Sequence, residues 1–513
     1  MLMTKKEFFA IFLILIITIF FRFWNIKETP PGLYPDEAMN GNNALEANAT
    51  NQYKIYYPEN NGREGFFINI QAASVAAFGN HPWSLRVVSA FFGTFTVLGI
   101  YLLTKKVFHK NTVLAIATTL MIAVSFWHVN FSRIGFRAIM VPFCLVWSFY
   151  FITSAWKEKK IWPAVMAGIF FGIGLHTYIA FRFAPFLALV PIIYYFYQNK
   201  KAGELKKYFQ ILFTWIGVAF LIALPIGLYF INNPGDFFGR SGQVSIFSSN
   251  NPILDLGESI GKTMAMFNFY GDCNWRHNYA CRPELDIFTG IFFLLGIILS
   301  VKKIFQKNNP ERFPYIFILS WMVIMAFPSI LTKEGVPHAL RAIGMIPPVF
   351  ILAGIGFEYL WKTFKEKNKK MGLILLIISG LSIIYLNGNQ YIAWSQKQEV
   401  KDSFDYKYTL IADYLNTAPQ AINKYVITNT GGTLVNGIPM PSQSIMFITN
   451  TYQTEQQKEK NIFYLLPENI NQIVSPALII PLENNASISQ DITEIFPQNS
   501  VSNINNFSIF RVE

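Results

Sequence analysis

Charge is scarce in this chain. Asp, Glu, Lys and Arg make up 14% of its 513 residues, against about 25% in ordinary soluble chains. That excludes a domain wetted on every side. Cysteine is nearly absent as well, and three residues cannot build a crosslinked secreted scaffold. The six histidines are scattered, and no Cys/His group has zinc spacing, so no metal ligand is assigned. Internal repeats and low-complexity linkers are also missing.

What fills the chain instead is apolar. Eleven hydrophobic runs suit a hydrocarbon core of about 30 Å: residues 8–24, 83–103, 112–127, 138–155, 161–178, 183–197, 209–231, 287–301, 315–330, 342–361 and 371–386, the sixth and eighth being short. No small-residue cleavage site follows the first, so it reads as an uncleaved anchor rather than a signal peptide. The expected fold class is a polytopic all-α membrane protein of about eleven spans, residues 1–386, followed by a small extracytoplasmic α/β domain, residues 387–513.

A formal charge of +12 would suit nucleic acid, but its distribution argues against that partner. Lysines crowd every second loop, at 105–110, 157–160, 200–207, 302–307 and 362–370. This is a positive-inside pattern. It puts the N-terminus in the cytoplasm and the C-terminal domain outside, in a multi-pass protein of the cell membrane. Arginine behaves differently: of twelve, only Arg312 falls in a cytoplasmic loop. Arg133, Arg137, Arg182, Arg240 and Arg341 sit at or near outer ends of apolar runs. Each alone is compatible with snorkelling to lipid headgroups. Together they favour an anionic ligand, since the guanidinium fork matches phosphate.

The outer loops carry the rest of the signal. The first, residues 25–82, opens with "PPGLYPDEAMNGNNALEA", where Asp36 and Glu37 stand side by side. Helices are expected over 38–49 and 64–78, as candidates for the membrane interface. A second long loop, 232–286, ends in "YGDCNWRHNYACRPEL". Cys273 and Cys281 lie eight apart there, on the oxidising side, and are expected to form a disulfide holding Trp275, Arg276 and His277 as a finger. Two free thiols, or a metal site with His277, are the alternatives. In the tail, "KYVITN", "SIMFIT", "NIFYLL" and "ALIIPL" read as strands, with helices near 404–415 and 488–495 and no nucleotide loop.

The first span, the Asp-Glu pair, "HPWSLRVVSAFFGTF", "SRIGFR", "GLHTYIAFRFAP" and "GVPHALRAIGMIPP" occur in an order that resembles the bacterial branch of the dolichyl-phosphate-mannose protein mannosyltransferase and aminoarabinose transferase superfamily. These are glycosyltransferases of the GT-C fold. The resemblance covers roughly residues 8–361. It implies an inverting transfer of a sugar from a polyprenyl-phosphate carrier to a hydroxyl acceptor (protein, lipid or cell-wall polymer) at the outer face of the cell envelope, with no required cofactor. Its catalytic base maps to Asp36, with Glu37 and Glu64 as further catalytic candidates. Arg133, Arg137, Arg182, Arg341 and His338 are the donor-phosphate candidates; His128, Arg240, Trp275 and His277 are acceptor or loop contacts.

The chemistry agrees. An attacking hydroxyl must lose its proton, which one carboxylate can accept. Lipid phosphate leaves as a stable anion, so the second carboxylate of a glycoside hydrolase is unnecessary. Two departures stand out. The basic-Pro-Pro-Leu segment of many relatives is replaced by Gly62-Arg63-Glu64-Gly65-Phe66, and "WHVNFSR" lacks an acidic residue. Acidic first-loop residues would allow a divalent ion without indicating one. Plainer roles are an N-cap for Asp36, a solvated or Arg63-facing position for Glu64 and an interfacial hydrogen bond for His128. A lipid-linked sugar flippase is the alternative function, although repeated halves are not seen.

Overall fold

A helix lies over each of the eleven apolar runs in a computed structural model that describes residues 4–513 except 244, 308, 310 and 505, and except the side chains of 240, 241 and 243. Among the described residues, eight helical segments are long and apolar enough to cross a membrane: Pro82–Val107, Arg137–Glu158, Ile179–Lys201, Leu205–Asn232, Ile287–Phe305, Arg312–Ile330, Ile343–Lys367 and Lys369–Ser395. Thr112–Val124 and Trp162–Gly174 are shorter apolar helices, and Lys5–Phe23 carries Lys6, Glu7 and Arg22 within its length.

The chain forms two compact units. One comprises Met1–Trp24, Glu64–Phe67 and Ser89–Trp394; the other comprises Asn25–Arg63, Ile68–Val88 and Ser395–Glu513. The division expected at residue 387 therefore falls at 394/395, and most of the first outer loop goes with the tail rather than with the spans.

The helical unit packs through small residues. Between Ile287–Phe305 and Ile346–Lys367, a Cβ at Gly296 would stand 1.8 Å from the Leu352 carbonyl oxygen, and one at Gly356 would stand 1.9 Å from that of Phe292. Only glycine lets these backbones approach so closely, a common device where helices meet inside a bilayer. Helix ends are fixed by side chains. Asp286 caps Ile287–Phe305 by accepting from Phe288 and Thr289 N–H, and Asn387 donates to its Oδ2 at 3.0 Å.

The second unit is built on a five-stranded sheet. Asn423–Ile427 sits between Ile462–Leu465 and Ala477–Pro481, parallel to both. Phe507–Val512 pairs antiparallel to Ala477–Pro481, and Ser500–Ile504 to Phe507–Val512. Alternation along Ala477–Pro481 fills both faces. Leu478 and Ile480 pack with Ile411, Ile445 and Phe507, while Ala477 and Ile479 pack with Ile470, Ile488 and Ile492.

"SIMFIT" is not a strand; it lies within the helix Gln443–Thr449. An apolar run this short fits either period, and burial on several sides decided for helix. Ile445 and Met446 join the sheet core, while Phe447 packs with Leu33, Ala38 and Val75 of the first loop and with Leu85 of the helix Pro82–Val107. Hydrogen bonds from Asn42 to Gln443, Ser444 to the Leu33 carbonyl and Asn80 to the Phe447 and Ile448 carbonyls tie the same segments. Helix Pro35–Thr50, a candidate for the membrane interface, is instead mostly buried in this unit.

Candidate active site

In the second unit, helix Pro35–Thr50 begins after Tyr34, with Pro35 in its first turn and no side-chain cap. Capping therefore does not explain the acidic pair, and the two carboxylates have separate surroundings. Glu37 is fully buried and receives both arms of Arg86, Nε at 3.0 Å and Nη2 at 3.1 Å. Arg86 also donates to the Pro30 and Gly32 carbonyls, at 2.6 and 2.7 Å. Glu37 is thus half of a clamp that shapes the turn ahead of the helix. Gly32 has φ +73°, and a Cβ there would stand 2.5 Å from the Phe404 carbonyl oxygen. That position admits only glycine.

Asp36 is half-buried. Among the described residues its hydrogen-bond partner is Asn60, whose Nδ2 donates at 2.7 Å. Asn40 and Asn43 follow Asp36 on one helical stripe, and both accept from buried Arg63, at 2.7 and 2.6 Å. Asn40, Asn43, Asn60, Arg63 and Arg86 were not singled out from sequence. The helical spacing of Asp36, Asn40 and Asn43 was the available signal.

The helical unit holds the other candidates. Glu64 is buried and pairs with Arg137, Oε2 to Nε 2.7 Å, rather than standing in solvent or facing Arg63. Arg137, in the turn Arg137–Ile139 that leads into a span, stays partly exposed and lies 5.5 Å from the Tyr178 ring centre. Arg182 donates to the Phe237 carbonyl at 2.7 Å and stacks 4.1 Å from that ring. Arg341 is half-buried and donates to the Glu334 carbonyl at 2.8 Å. The side chain of Arg240 lies outside the described residues.

Arg133 and His128 are fully buried rather than interfacial. Arg133 donates to the Phe21 carbonyl at 3.0 Å. Arg22, also buried, donates to the Ala123 carbonyl at 2.8 Å and to His128 Nδ1 at 2.6 Å. The two guanidiniums cover C-terminal carbonyls of Lys5–Phe23 and Thr112–Val124, where a helix end carries partial negative charge. That environment suits a clamp between these two helices.

Cys273 and Cys281 have sulfurs 1.94 Å apart and Cα atoms 4.1 Å apart. The intervening finger is docked by its backbone: Trp394 donates to the Trp275 carbonyl and Asn130 to that of Arg276, both at 2.8 Å. His277 turns inward to Asp272, Nδ1 to Oδ2 3.0 Å, with His338 Nδ1 3.9 Å from the same oxygen. Two imidazoles and a carboxylate match a zinc ligand set by type. Their ligand atoms all lie within 4.8 Å of one another. Asp272 Oδ2 also accepts from Ala339 N–H at 2.8 Å. As it stands, the cluster is held by hydrogen bonds. Beneath it, Glu284 Oε1 accepts from Asp272 N–H, and burial together with the Asp272 charge holds the Glu284 carboxyl well above its ordinary range.

Residues 66–229 match the sequence model of the dolichyl-phosphate-mannose-protein mannosyltransferases. Against solved structures, the chain superposes on ArnT from Cupriavidus metallidurans bound to undecaprenyl phosphate with a TM-score of 0.57 and 11% identity, covering 99% of this chain and 98% of that one. The apo form of the same protein gives 0.57 and 10%, with 98% and 97% covered. The fold is GT-C. No curated protein sequence matches. With this fold and its apolar helices, the chain is a multi-span membrane protein.

Proposed function

We propose that this GT-C protein is a glycosyltransferase that takes a sugar from a polyprenyl-phosphate donor at the outer face of the cell membrane and passes it, with inversion, to a hydroxyl acceptor. Asp36 accepts the acceptor's proton as the hydroxyl oxygen bonds to the anomeric carbon. The bond from that carbon to the phosphate oxygen breaks, its electron pair stays with the phosphate, and polyprenyl phosphate departs. The observation that carries the reading is the unequal pair: Glu37 is locked in the Arg86 clamp, whereas Asp36 keeps a half-buried carboxylate with Asn60 as its neutral partner. A base must be free to take a proton, and of the two only Asp36 is.

Arg137, Arg182 and Arg341 are the proposed contacts for the donor phosphate, with His338 beside Arg341. A guanidinium stabilises charge building on a departing phosphate. Glu64 is a positioning residue in this reading, since its ion pair aims the Arg137 fork. The family match over residues 66–229 supports the sugar-transfer class, and the lysine-poor outer loops support the side of the membrane. The test is purified protein in detergent, offered polyprenyl-phosphate-linked sugars with a hydroxyl acceptor. Release of polyprenyl phosphate together with a glycosylated acceptor is expected. Movement of intact donor across a vesicle bilayer without bond cleavage would replace the enzyme with a flippase.

A further inference from the structure

Helix Pro252–Ala265, in the long loop between the spans Leu205–Asn232 and Ile287–Phe305, has its polarity inside out. On a wheel of about 100° per residue, Ile253, Leu254, Ile260 and Met264 share one face with Gly257 and Gly261. Ile253 is 88% and Leu254 70% exposed, with Ile260 and Met264 above 40%. A Cβ at either glycine would have nothing within 4 Å, so the whole face is open. The opposite face is small and polar, and it is this face that the protein buries: Ser259 and Thr263 are inside, and Thr263 Oγ1 lies 3.2 Å from Ser329 Oγ. A third, charged flank carries Glu258 and Lys262, paired at 2.6 Å.

In a soluble helix the apolar stripe goes inward. Here the arrangement has three zones, with hydroxyls to the protein, charges along one edge and hydrocarbon outward. That division suits a helix lying flat in a membrane interface, its apolar face in the acyl boundary and its charged edge among headgroups. The spans on either side point to the occupant. Their apolar side chains are exposed too, including Ile231 at the end of one and Ile287 at the start of the other, and Phe269, just after the helix, is 74% exposed. The face is therefore continuous along the chain with surfaces that need hydrocarbon. The two glycines leave it smooth, without the large aromatic anchors on which protein partners concentrate.

We propose that Pro252–Ala265 is an in-plane membrane helix whose Ile253/Ile260/Met264 face contacts the acyl chains of the bilayer. The test is site-directed spin labelling of the full chain in nanodiscs of phosphatidylethanolamine and phosphatidylglycerol. Ile253→Cys, Ile260→Cys and Lys262→Cys carry the nitroxide, Cys144 being buried and Cys273 and Cys281 within bonding distance of each other. Labels at 253 and 260 should collide several-fold more with dissolved oxygen than with a water-soluble nickel chelate, and the label at 262 should show the reverse. High nickel accessibility at 253 and 260 would make the face solvent-exposed and overturn the proposal. Exclusion of both reagents there would also overturn it, by showing that a second protein surface covers the helix.

Discussion

Replacing Glu37 with Gln separates structure from catalysis within the acidic pair. The side chain keeps its size, but the carboxylate that takes two bonds from Arg86, at 3.0 and 3.1 Å, is lost. The amide oxygen can accept from one arm of Arg86, but its N–H₂ then faces the other guanidinium N–H, and the buried cation keeps the Pro30 and Gly32 carbonyls with no counter-charge. Breaking a buried ion pair from one side costs about 3–5 kcal/mol. At about 2–4 °C per kcal/mol for a unit of 150–250 residues, melting should fall by about 6–20 °C. Thermal unfolding in detergent followed by tryptophan fluorescence measures this, alongside sugar transfer per folded molecule at a temperature below both transitions. Glu37→Gln should melt early yet keep most of its turnover. Normal melting with abolished transfer would refute the clamp and make Glu37 the catalytic group.

Other outcomes follow from the same contacts. Arg137→Lys keeps charge but loses the planar fork, so donor affinity should fall; unchanged affinity here and in Arg182→Lys and Arg341→Lys would return these residues to headgroup contact. Mass spectrometry of unreduced peptides should find Cys273 and Cys281 linked, and Cys273→Ser/Cys281→Ser should lose about 2–3 kcal/mol; free thiols, or unchanged stability, would remove the finger's crosslink. Burial raises the Glu284 carboxyl well above 4.5, so the folded state holds this proton more tightly than the unfolded one. Its contribution to stability is complete below the unfolded value and is lost as pH rises toward the folded one. Glu284→Gln removes that dependence, so relative to wild type the variant should gain stability between pH 5 and pH 8. Parallel melting profiles across that range would contradict the burial argument.

The apolar helices were legible because a bilayer demands long apolar runs with few charges: a helix lies over all eleven runs, and among the described residues eight segments are long and apolar enough to span. Partners distant in sequence were not legible. Nothing near Glu37 announces Arg86, 49 residues on, and nothing near Asp272 announces His338. Arg133 read as one more outer arginine because the carbonyl that accepts from it belongs to Phe21, 112 residues earlier. Arg22 drew no attention inside its apolar run, although it binds both a helix end and His128. "SIMFIT" misled because its β-branched residues suit a strand until packing on several sides is known. Asp36 drew attention through the adjacent acidic pair and the family resemblance that maps a base there. Its freedom relative to Glu37 needed coordinates.

The central claim rests on Asp36, and Asp36→Asn tests it with the least disturbance. The amide preserves shape and can still meet Asn60, now 2.7 Å from Oδ1, but it cannot take the acceptor's proton. The measurement is the rate of polyprenyl phosphate release from bound donor in the presence of acceptor, on protein shown to melt like wild type. The account predicts retained donor binding and a rate lower by about 100-fold or more. Release at close to the wild-type rate would contradict it.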